Sequence, residues 1–172
     1  MHWRLRRATA ADASALSLVA AASFLETFAG ILSGEDMLAH IAAKSTPERF
    51  ARWIADAASI ATIAEHPDGA APVGYTLLTT PEDVGQIEPG DIELRRIYTL
   101  SLTRGTGLGA ALMAQAIADA RSRGATRMLL GVYARNYRAC DFYERQAFVL
   151  AGERQFKVGA TWHDDRVYSR LL

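Results

Sequence analysis

The glycine-rich segment at residues 104–110 has the clearest capacity for chemistry in this sequence. It reads Arg-Gly-Thr-Gly-Leu-Gly-Ala and joins a strand-like run, residues 92–100, to a helical pattern that starts at Gly107. The first N–H groups of a helix lack partners within the helix, and the helix dipole adds about half a positive charge there. Glycines let the backbone approach a ligand, and Arg104 supplies a cation suited to bidentate phosphate contacts. The segment therefore predicts a site for a phosphorylated ligand.

Three classes of glycine-rich loop compete for this segment. A P-loop is excluded, because Ala110 and Ala111 stand where it requires glycine and then lysine. The dinucleotide fingerprint G-x-G-x-x-G/A fits Gly105, Gly107 and Ala110. However, residues 128–135 lack the acidic residue that this fingerprint expects about 20 positions further on. Too few residues also follow the loop to complete the two halves of a dinucleotide-binding fold.

The third class is the coenzyme A loop of acetyltransferases. Residues 104–109 fill every specified position of the signature [Q/R]-x-x-G-x-[G/A]. Residues 136–148 resemble a second motif, N-x-x-A-x-x-[FL]-Y-E-[KR]-x-G-F, with Ala147 where glycine is usual. The two motifs in this order identify a resemblance to the GNAT superfamily of N-acetyltransferases over about residues 3–171.

The resemblance implies acetyl-CoA as cofactor and assigns residues to it. Its pantetheine arm is expected to pair with the backbone of Ile97, Tyr98 and Thr99, and Asn136 is expected to hydrogen-bond the arm from the other side. Either Arg135 or Arg138 would reach a coenzyme phosphate. The pyrophosphate would lie on the amides of Gly105, Thr106, Gly107, Leu108, Gly109 and Ala110, beside Arg104.

Two proton transfers define the catalytic candidates. An alkylammonium acceptor of pKa about 10.4 must lose a proton at pH 7, which costs about 4.6 kcal/mol. The resemblance implies Glu93 as the leading candidate base, because it lies four residues before Ile97, close to where the family's histone acetyltransferases carry a glutamate base; alternatively Glu93 is a solvated strand end, and ordered waters or backbone carbonyls act as the base. Tyr143 stands at the family's tyrosine position, which implies a proton donor to the departing thiolate, and its alternative role is aromatic packing. Cys140 is expected to be a packed thiol, because no histidine lies near it in sequence.

The acceptor is the least determined part of the function. Residues 23–28 and 156–159 resemble bacterial spermidine/spermine acetyltransferase-like proteins, which suggests a polyamine, whereas the superfamily also acetylates aminoglycosides, amino acids and protein N-termini. A non-catalytic coenzyme A sensor and a nicotinamide-dependent oxidoreductase are the alternatives from other functional classes. The acidic side chains that would line an acceptor groove are Glu26, Glu35, Asp36, Glu82 and Asp83.

Composition agrees with one enzyme domain over residues 1–172. The 19 basic and 19 acidic residues balance, so bulk charge does not favour a nucleic-acid or membrane partner. The single cysteine fits a reducing compartment, and we expect a cytoplasmic protein and a homodimer. Residues 1–22 loosely imitate a secretory signal, but an amphipathic helix pattern after Thr9 argues against one. We expect no metal, because the histidines, His2, His40, His66 and His163, lack ligand spacing.

These residues require a particular set of elements around them. The predicted class is α/β, with a mixed, mostly antiparallel central sheet flanked by helices. Its parallel neighbours, β4 over residues 92–100 and β5 over residues 128–133, are connected by the 107–123 helix and are expected to splay apart. An exposed loop is predicted at 81–90. The other predicted strands are 3–7, 59–66, 73–80, 149–156 and 161–171, and the other predicted helices are 9–30, 35–43, one starting at 47, and 136–146.

Overall fold

A computed structural model describes residues 3–172, so that His2 lies outside the described residues. All the predicted helices and strands are present. In chain order they are β1 (Arg4–Arg7), α1 (Ala13–Phe28), α2 (Gly34–Lys44), α3 (Pro47–Ala55), β2 (Ile60–Glu65), β3 (Pro72–Thr79), β4 (Asp91–Thr99), α4 (Leu108–Ser122), β5 (Arg127–Tyr133), α5 (Tyr137–Arg145), β6 (Val149–Val158) and β7 (Thr161–Leu171).

The strands form one mixed sheet in the order β1-β2-β3-β4-β5-β7-β6. The β4–β5 pair is parallel and the other neighbours are antiparallel. Helix α4 makes the crossover between the two parallel strands, which is the connection that such a pair requires. The predicted mixed sheet with a parallel β4/β5 pair is thus confirmed.

Strands β4 and β5 separate soon after they begin. They pair only at residues 91–93 of β4, where the last pair joins Glu93 and Leu129. Just beyond this point the register between β3 and β4 shifts, because Leu78 lies opposite Leu94 and Leu77 lies opposite Arg96. A β-bulge of this kind bends a strand and increases its local twist. The bulge at residue 95 thus accounts for the divergence of β4 from β5, which opens a wedge at one edge of each strand.

Side chains placed just before the helices fix where the helices begin. Thr46 accepts a hydrogen bond from the N–H of Arg49 at the start of α3, and Ser33 accepts one from Asp36 at the start of α2. Thr9 and Asp12 form a capping box, which starts a 3-10 turn ahead of α1. Each cap satisfies N–H groups that the helix itself leaves unpaired, at a gain of about 1 kcal/mol.

The sheet has a hydrophobic core on each face. Helices α4 and α5 cover one face with a cluster that includes Met113, Leu130 and Phe148. Helices α1 and α3 cover the other with a cluster that includes Leu16 and Phe50, both fully buried. Burial of each such side chain contributes about 1.5–3 kcal/mol. The two covered faces hold the sheet, and therefore the wedge, in a fixed shape.

The structure corrects the loop predicted to be exposed at 81–90. Most of this loop is exposed, but Val84 is fully buried against Leu129 and Val167. A single buried residue has no periodic pattern, and the surrounding Pro, Asp and Gly residues point to a loop, so the sequence offered no sign of this anchor. Farther on, Ala147 adopts the left-handed φ of +60° that the usual glycine would adopt without strain.

One helical stretch in the described residues, Ala10–Phe28, has the length and mean hydropathy of a membrane span. In the structure its Leu16, Val19, Ala20 and Phe24 side chains are buried within the protein. The same length and composition are found in core helices of globular domains, and its packing against the sheet accounts for its apolar character.

Candidate active site

A cavity of about 910 Å³ occupies the wedge between β4 and β5. Its walls come from the diverging ends of both strands, from the glycine-rich loop and from α5. Of the predicted site residues, those that line it are Glu93, Ile97, Tyr98, Thr99, Arg104, Gly105, Gly107, Leu108, Gly109, Ala110, Asn136 and Tyr143. The topology thus brings together segments separated by up to 50 residues.

Among residues 104–110 of the glycine-rich loop, Thr106 alone does not line the cavity. Its hydroxyl donates a hydrogen bond to the carbonyl of Thr103 at 2.6 Å and accepts one from the Trp3 indole N–H at 3.1 Å. These bonds hold the loop to the N-terminal part of the chain. The Thr106 side chain therefore shapes the loop rather than a wall of the cavity.

The glycine-rich loop depends on left-handed backbone conformations. Gly105 has φ of +75°, and Gly107, the N-cap of α4, has φ of +85°. A Cβ atom built on either glycine would meet nothing within 4 Å. The backbone conformation therefore accounts for both glycines, and the space beside them is open to a ligand.

Two arginines flank the loop without a carboxylate partner in the described part of the chain. Arg104 follows β4, and Arg138 lies in the first turn of α5, and both line the cavity. Burial and the neighbouring positive charge of Arg104 lower the pKa of Arg138. Arg135, the other predicted phosphate contact, lies outside the lining of this cavity. The cations at the loop are therefore Arg104 and Arg138.

Asn136 is the N-cap of α5. Its side-chain oxygen accepts a hydrogen bond from the N–H of Ala139 at 3.2 Å. The side-chain amide has no hydrogen-bond partner within residues 3–172, so its donors remain available toward the cavity that Asn136 lines.

Tyr143 lies in the apolar seam between α5 and the sheet with its ring near Phe142, Phe148 and Tyr168. Only 8% of the residue is exposed. Burial, with smaller contributions from Tyr98 and Cys140, raises the pKa of the Tyr143 phenol. The hydroxyl is therefore protonated at neutral pH, as a proton donor must be.

Glu93 is buried rather than solvated, with 4% of the residue exposed. Its Oε2 accepts hydrogen bonds from the N–H of Glu82 and from Nη2 of Arg95, each at 3.0 Å. Its Oε1 has no such partner in the described residues. Burial raises the pKa of the Glu93 carboxyl, although the charge of Arg95 opposes the shift. The carboxylate is thus held by one oxygen while the other remains unpaired.

Part of the cavity is an aromatic chamber, which we define by Phe24, Phe28, His40, Tyr133 and Phe156. Phe24 and His40 stack with ring centroids 4.3 Å apart and planes 7° from parallel. Burial lowers the pKa of His40 to about 4, and the charges of Arg96 and Lys44 add to the shift. This chamber was not predicted, because its rings come from four separate elements and each fits an ordinary core pattern.

The predicted acidic groove forms only in part. Glu26 lines the cavity, but both its oxygens accept hydrogen bonds from Ser101. Glu82 and Asp83 also line it, and Glu82 forms a salt bridge with Arg95, another residue of the cavity wall.

Two of the predicted acidic residues, Glu35 and Asp36, do not line the cavity. Asp36 accepts hydrogen bonds from the N–H of Ala160 and the hydroxyl of Thr161, so that it holds the β6–β7 turn. Cys140, 2% exposed, is a packed thiol in the core and also lies outside the cavity lining.

The sequence model of the Acetyltransferase (GNAT) family matches residues 27–148. The chain belongs to the GNAT family. It is 35% identical over 161 residues to an uncharacterized N-acetyltransferase of Mycobacterium tuberculosis, an alignment that covers 94% of this chain and 98% of the relative. An uncharacterized N-acetyltransferase of Mycobacterium bovis matches to the same extent.

Solved structures show the same fold at lower sequence identity. The PaiA N-acetyltransferase of Thermoplasma acidophilum, in complex with coenzyme A, superposes with a TM-score of 0.82 at 20% identity over the whole of both chains. YncA of Salmonella typhimurium, with its cofactor acetyl-CoA, gives a TM-score of 0.71 at 20% identity, covering 99% of this chain and 94% of that one. The GNAT fold predicted from the two motifs is thus confirmed, while the spermidine/spermine-like subtype stays a prediction.

Proposed function

We propose that this GNAT protein transfers the acetyl group of acetyl-CoA directly to a primary amine of a small molecule or a peptide. The observation that carries the proposal is the wedge itself. The glycine-rich loop, Tyr143 of α5 and Glu93 of β4 all line it. This combination supports the proposal, because the loop would hold a phosphorylated ligand and the two side chains would make the proton transfers that amide formation needs.

The residues of the wedge fit coenzyme A. Arg104, Arg138 and the free amides at the start of α4 would hold its phosphates. Residues 94–99 of β4 have lost β5 as a neighbour, so one edge of this strand has backbone groups available to pair with the pantetheine amides as an added strand would. The free amide of Asn136 would donate from the opposite wall. Acetyl-CoA would supply an activated acyl group as a thioester.

Glu93 is proposed to take the proton that the acceptor ammonium must lose. Its unpaired Oε1 would accept the proton, directly or through one water, while Oε2 stays fixed by Arg95 and the Glu82 N–H. The raised pKa of the Glu93 carboxyl lies closer to neutral pH. A base whose pKa is near the working pH accepts protons more effectively.

Tyr143 is proposed to donate a proton to the leaving sulfur. A thiol of pKa about 8.5 is only about 2 kcal/mol too basic to leave as the thiolate at pH 7, so a hydroxyl donor is sufficient. The buried and protonated phenol meets that requirement.

Two alternative functions were left open by the sequence. A nicotinamide-dependent oxidoreductase requires a doubly wound, mostly parallel sheet, and the mostly antiparallel sheet of this chain lacks that arrangement. A non-catalytic coenzyme A sensor would use the same wedge, and turnover distinguishes it from an enzyme.

The test has a binding arm and a turnover arm. Acetyl-CoA at about 100 times its dissociation constant should stabilise the protein by about 2.7 kcal/mol, and NADPH should not. Free thiol should then appear when acetyl-CoA is mixed with a panel of primary amines that includes spermidine, amino acids and a peptide. Stabilisation by NADPH alone would contradict the proposal, and stabilisation by acetyl-CoA without turnover of any amine would support the sensor.

A further inference from the structure

Two guanidinium groups share one indole ring in the wall of the cavity. The Cζ atom of Arg49 lies 5.1 Å from the Trp53 ring centroid, and that of Arg96 lies 4.9 Å from it. All three residues line the cavity. Stacking on an aromatic face orients a guanidinium while its N–H groups remain free to bind at the ring edge. We call Arg49, Arg96, Trp53 and Lys44, which also lines the cavity, the Trp53 cluster.

The arginines of the Trp53 cluster have no carboxylate partner in the described residues. Arg96 donates only to neutral oxygens, the Ser45 hydroxyl at 3.2 Å and the Lys44 carbonyl at 2.8 Å. The Nε of Arg49 is buried and has no hydrogen-bond partner within residues 3–172. A buried N–H without a partner is costly, which indicates that a partner is missing.

The other acceptor-side arginines behave differently. Arg95 is paired with Glu82 and Glu93, and Arg154 is paired with Asp165. The same cavity therefore pairs some of its cations with carboxylates of the chain at salt-bridge distance, whereas Arg49 and Lys44 of the Trp53 cluster interact with the Glu82 carboxylate only at longer range. The lowered pKa of the neighbouring His40, to which Arg96 and Lys44 contribute, agrees with a positive local potential.

We infer that the Trp53 cluster binds a carboxylate of the acceptor, so that the substrate is a primary amine that also carries a carboxylate. The guanidinium fork matches a carboxylate with two parallel hydrogen bonds, and Arg49 Nε has no hydrogen-bond partner within residues 3–172. A polyamine would instead bring a second ammonium toward three cations, none of which has a salt-bridge partner in the described residues, although Glu82 interacts electrostatically with Arg49 and Lys44 at longer range. The apolar middle of the acceptor would cross the aromatic chamber. The inference rests on the proposed acetyltransferase function and names its substrate class.

A length series of ω-amino acids, from glycine to 6-aminohexanoate, tests the inference. Each is compared with the alkylamine and the diamine of the same carbon number, and kcat/KM is measured from thiol release. We expect a single preferred length, at which the amino acid exceeds both matched amines by at least about tenfold, because a charge-assisted bidentate contact is worth that much. Diamines that equal or exceed the amino acids would overturn the inference.

Arg49→Gln tests the cluster directly, with Arg52→Gln as its control. Arg52 lies on the same helix, is exposed and does not line the cavity. In Arg49→Gln, the ratio of kcat/KM for the preferred amino acid to that for its alkylamine should fall at least about tenfold, and in Arg52→Gln it should keep its value. Arg49→Glu should shift the preference toward the diamine.

The outcomes separate this inference from the proposed function. Failure of every amine to release thiol would contradict the proposed function, whereas release that ignores the carboxylate would contradict only the carboxylate site. Thermal melting of each variant with acetyl-CoA checks that the fold and the cofactor site persist. An unchanged amino acid preference in a folded Arg49→Gln protein would overturn the assignment.

Discussion

A pair of glycine-to-alanine variants, Gly105→Ala and Gly124→Ala, separates backbone strain from cofactor contact. Both glycines have φ of +75°, and at both a Cβ atom would meet nothing within 4 Å. Gly105 lines the cavity, whereas Gly124 follows the far end of α4 and does not. Alanine in this left-handed conformation costs about 1–2 kcal/mol. Both variants should therefore lose a similar amount of stability without ligand, or about 2–8 °C in melting temperature.

The ligand then distinguishes them. The methyl group of Gly105→Ala would occupy space that the phosphates are expected to use, so we expect acetyl-CoA to bind at least about tenfold more weakly, by about 1.4 kcal/mol. At a concentration about 100 times the parental dissociation constant, acetyl-CoA should stabilise the Gly124→Ala protein by about 2.7 kcal/mol and the Gly105→Ala protein by only about half as much. Thermal and denaturant melts with and without acetyl-CoA measure this. Equal stabilisation of both variants would refute the placement of the phosphates at the loop.

Three further predictions concern side chains of the cavity. Tyr143→Phe should lower kcat by about 10- to 100-fold with little change in acetyl-CoA affinity, and an unchanged kcat would leave Tyr143 a packing residue. The kcat/KM of the parent should rise with pH as Glu93 loses its proton. Glu93→Gln should need a higher pH to reach the same kcat/KM, since only about 0.04% of an amine of pKa 10.4 is neutral at pH 7. Identical pH profiles of the two proteins would assign the proton transfer to water or backbone groups. Because folded His40 has a pKa of about 4 and unfolded histidine one of about 6.5, the unfolded state binds the extra proton between these values, and stability should fall as pH drops through that window. His40→Phe should reduce this acid sensitivity in denaturant titrations, and an equal loss in both proteins would argue against a neutral buried His40.

The part of the cavity formed by the glycine-rich loop and the start of α5 could be predicted because its signals are local in sequence. A glycine that needs a left-handed φ, such as Gly107, and an N-cap such as Asn136 act on neighbouring residues, so their spacing is visible in the chain. The mixed sheet followed from the same signals, because a strand, a helix and a second strand leave few topologies open.

The part of the cavity around the Trp53 cluster could not be predicted, because it is made by contacts between distant segments. Arg96 reads as an ordinary strand residue until α3 places Trp53 and Arg49 beside it. The bulge at residue 95 has no local signature either, yet it opens the wedge. Asp36 was expected in an acidic groove, but it hydrogen-bonds the β6–β7 turn, a contact across more than 120 residues.

The proposed transfer of the acetyl group from acetyl-CoA to a primary amine is tested most directly by the stoichiometry of a single reaction. Acetyl-CoA is mixed with the preferred primary amine, and free coenzyme A and acetylated amine are quantified together by mass spectrometry while the intact protein is checked for acetylation. Direct transfer of the acetyl group to the amine predicts equal amounts of the two products and an unmodified protein. Release of coenzyme A without acetylated amine, or an acetylated protein that forms before the product, would contradict it.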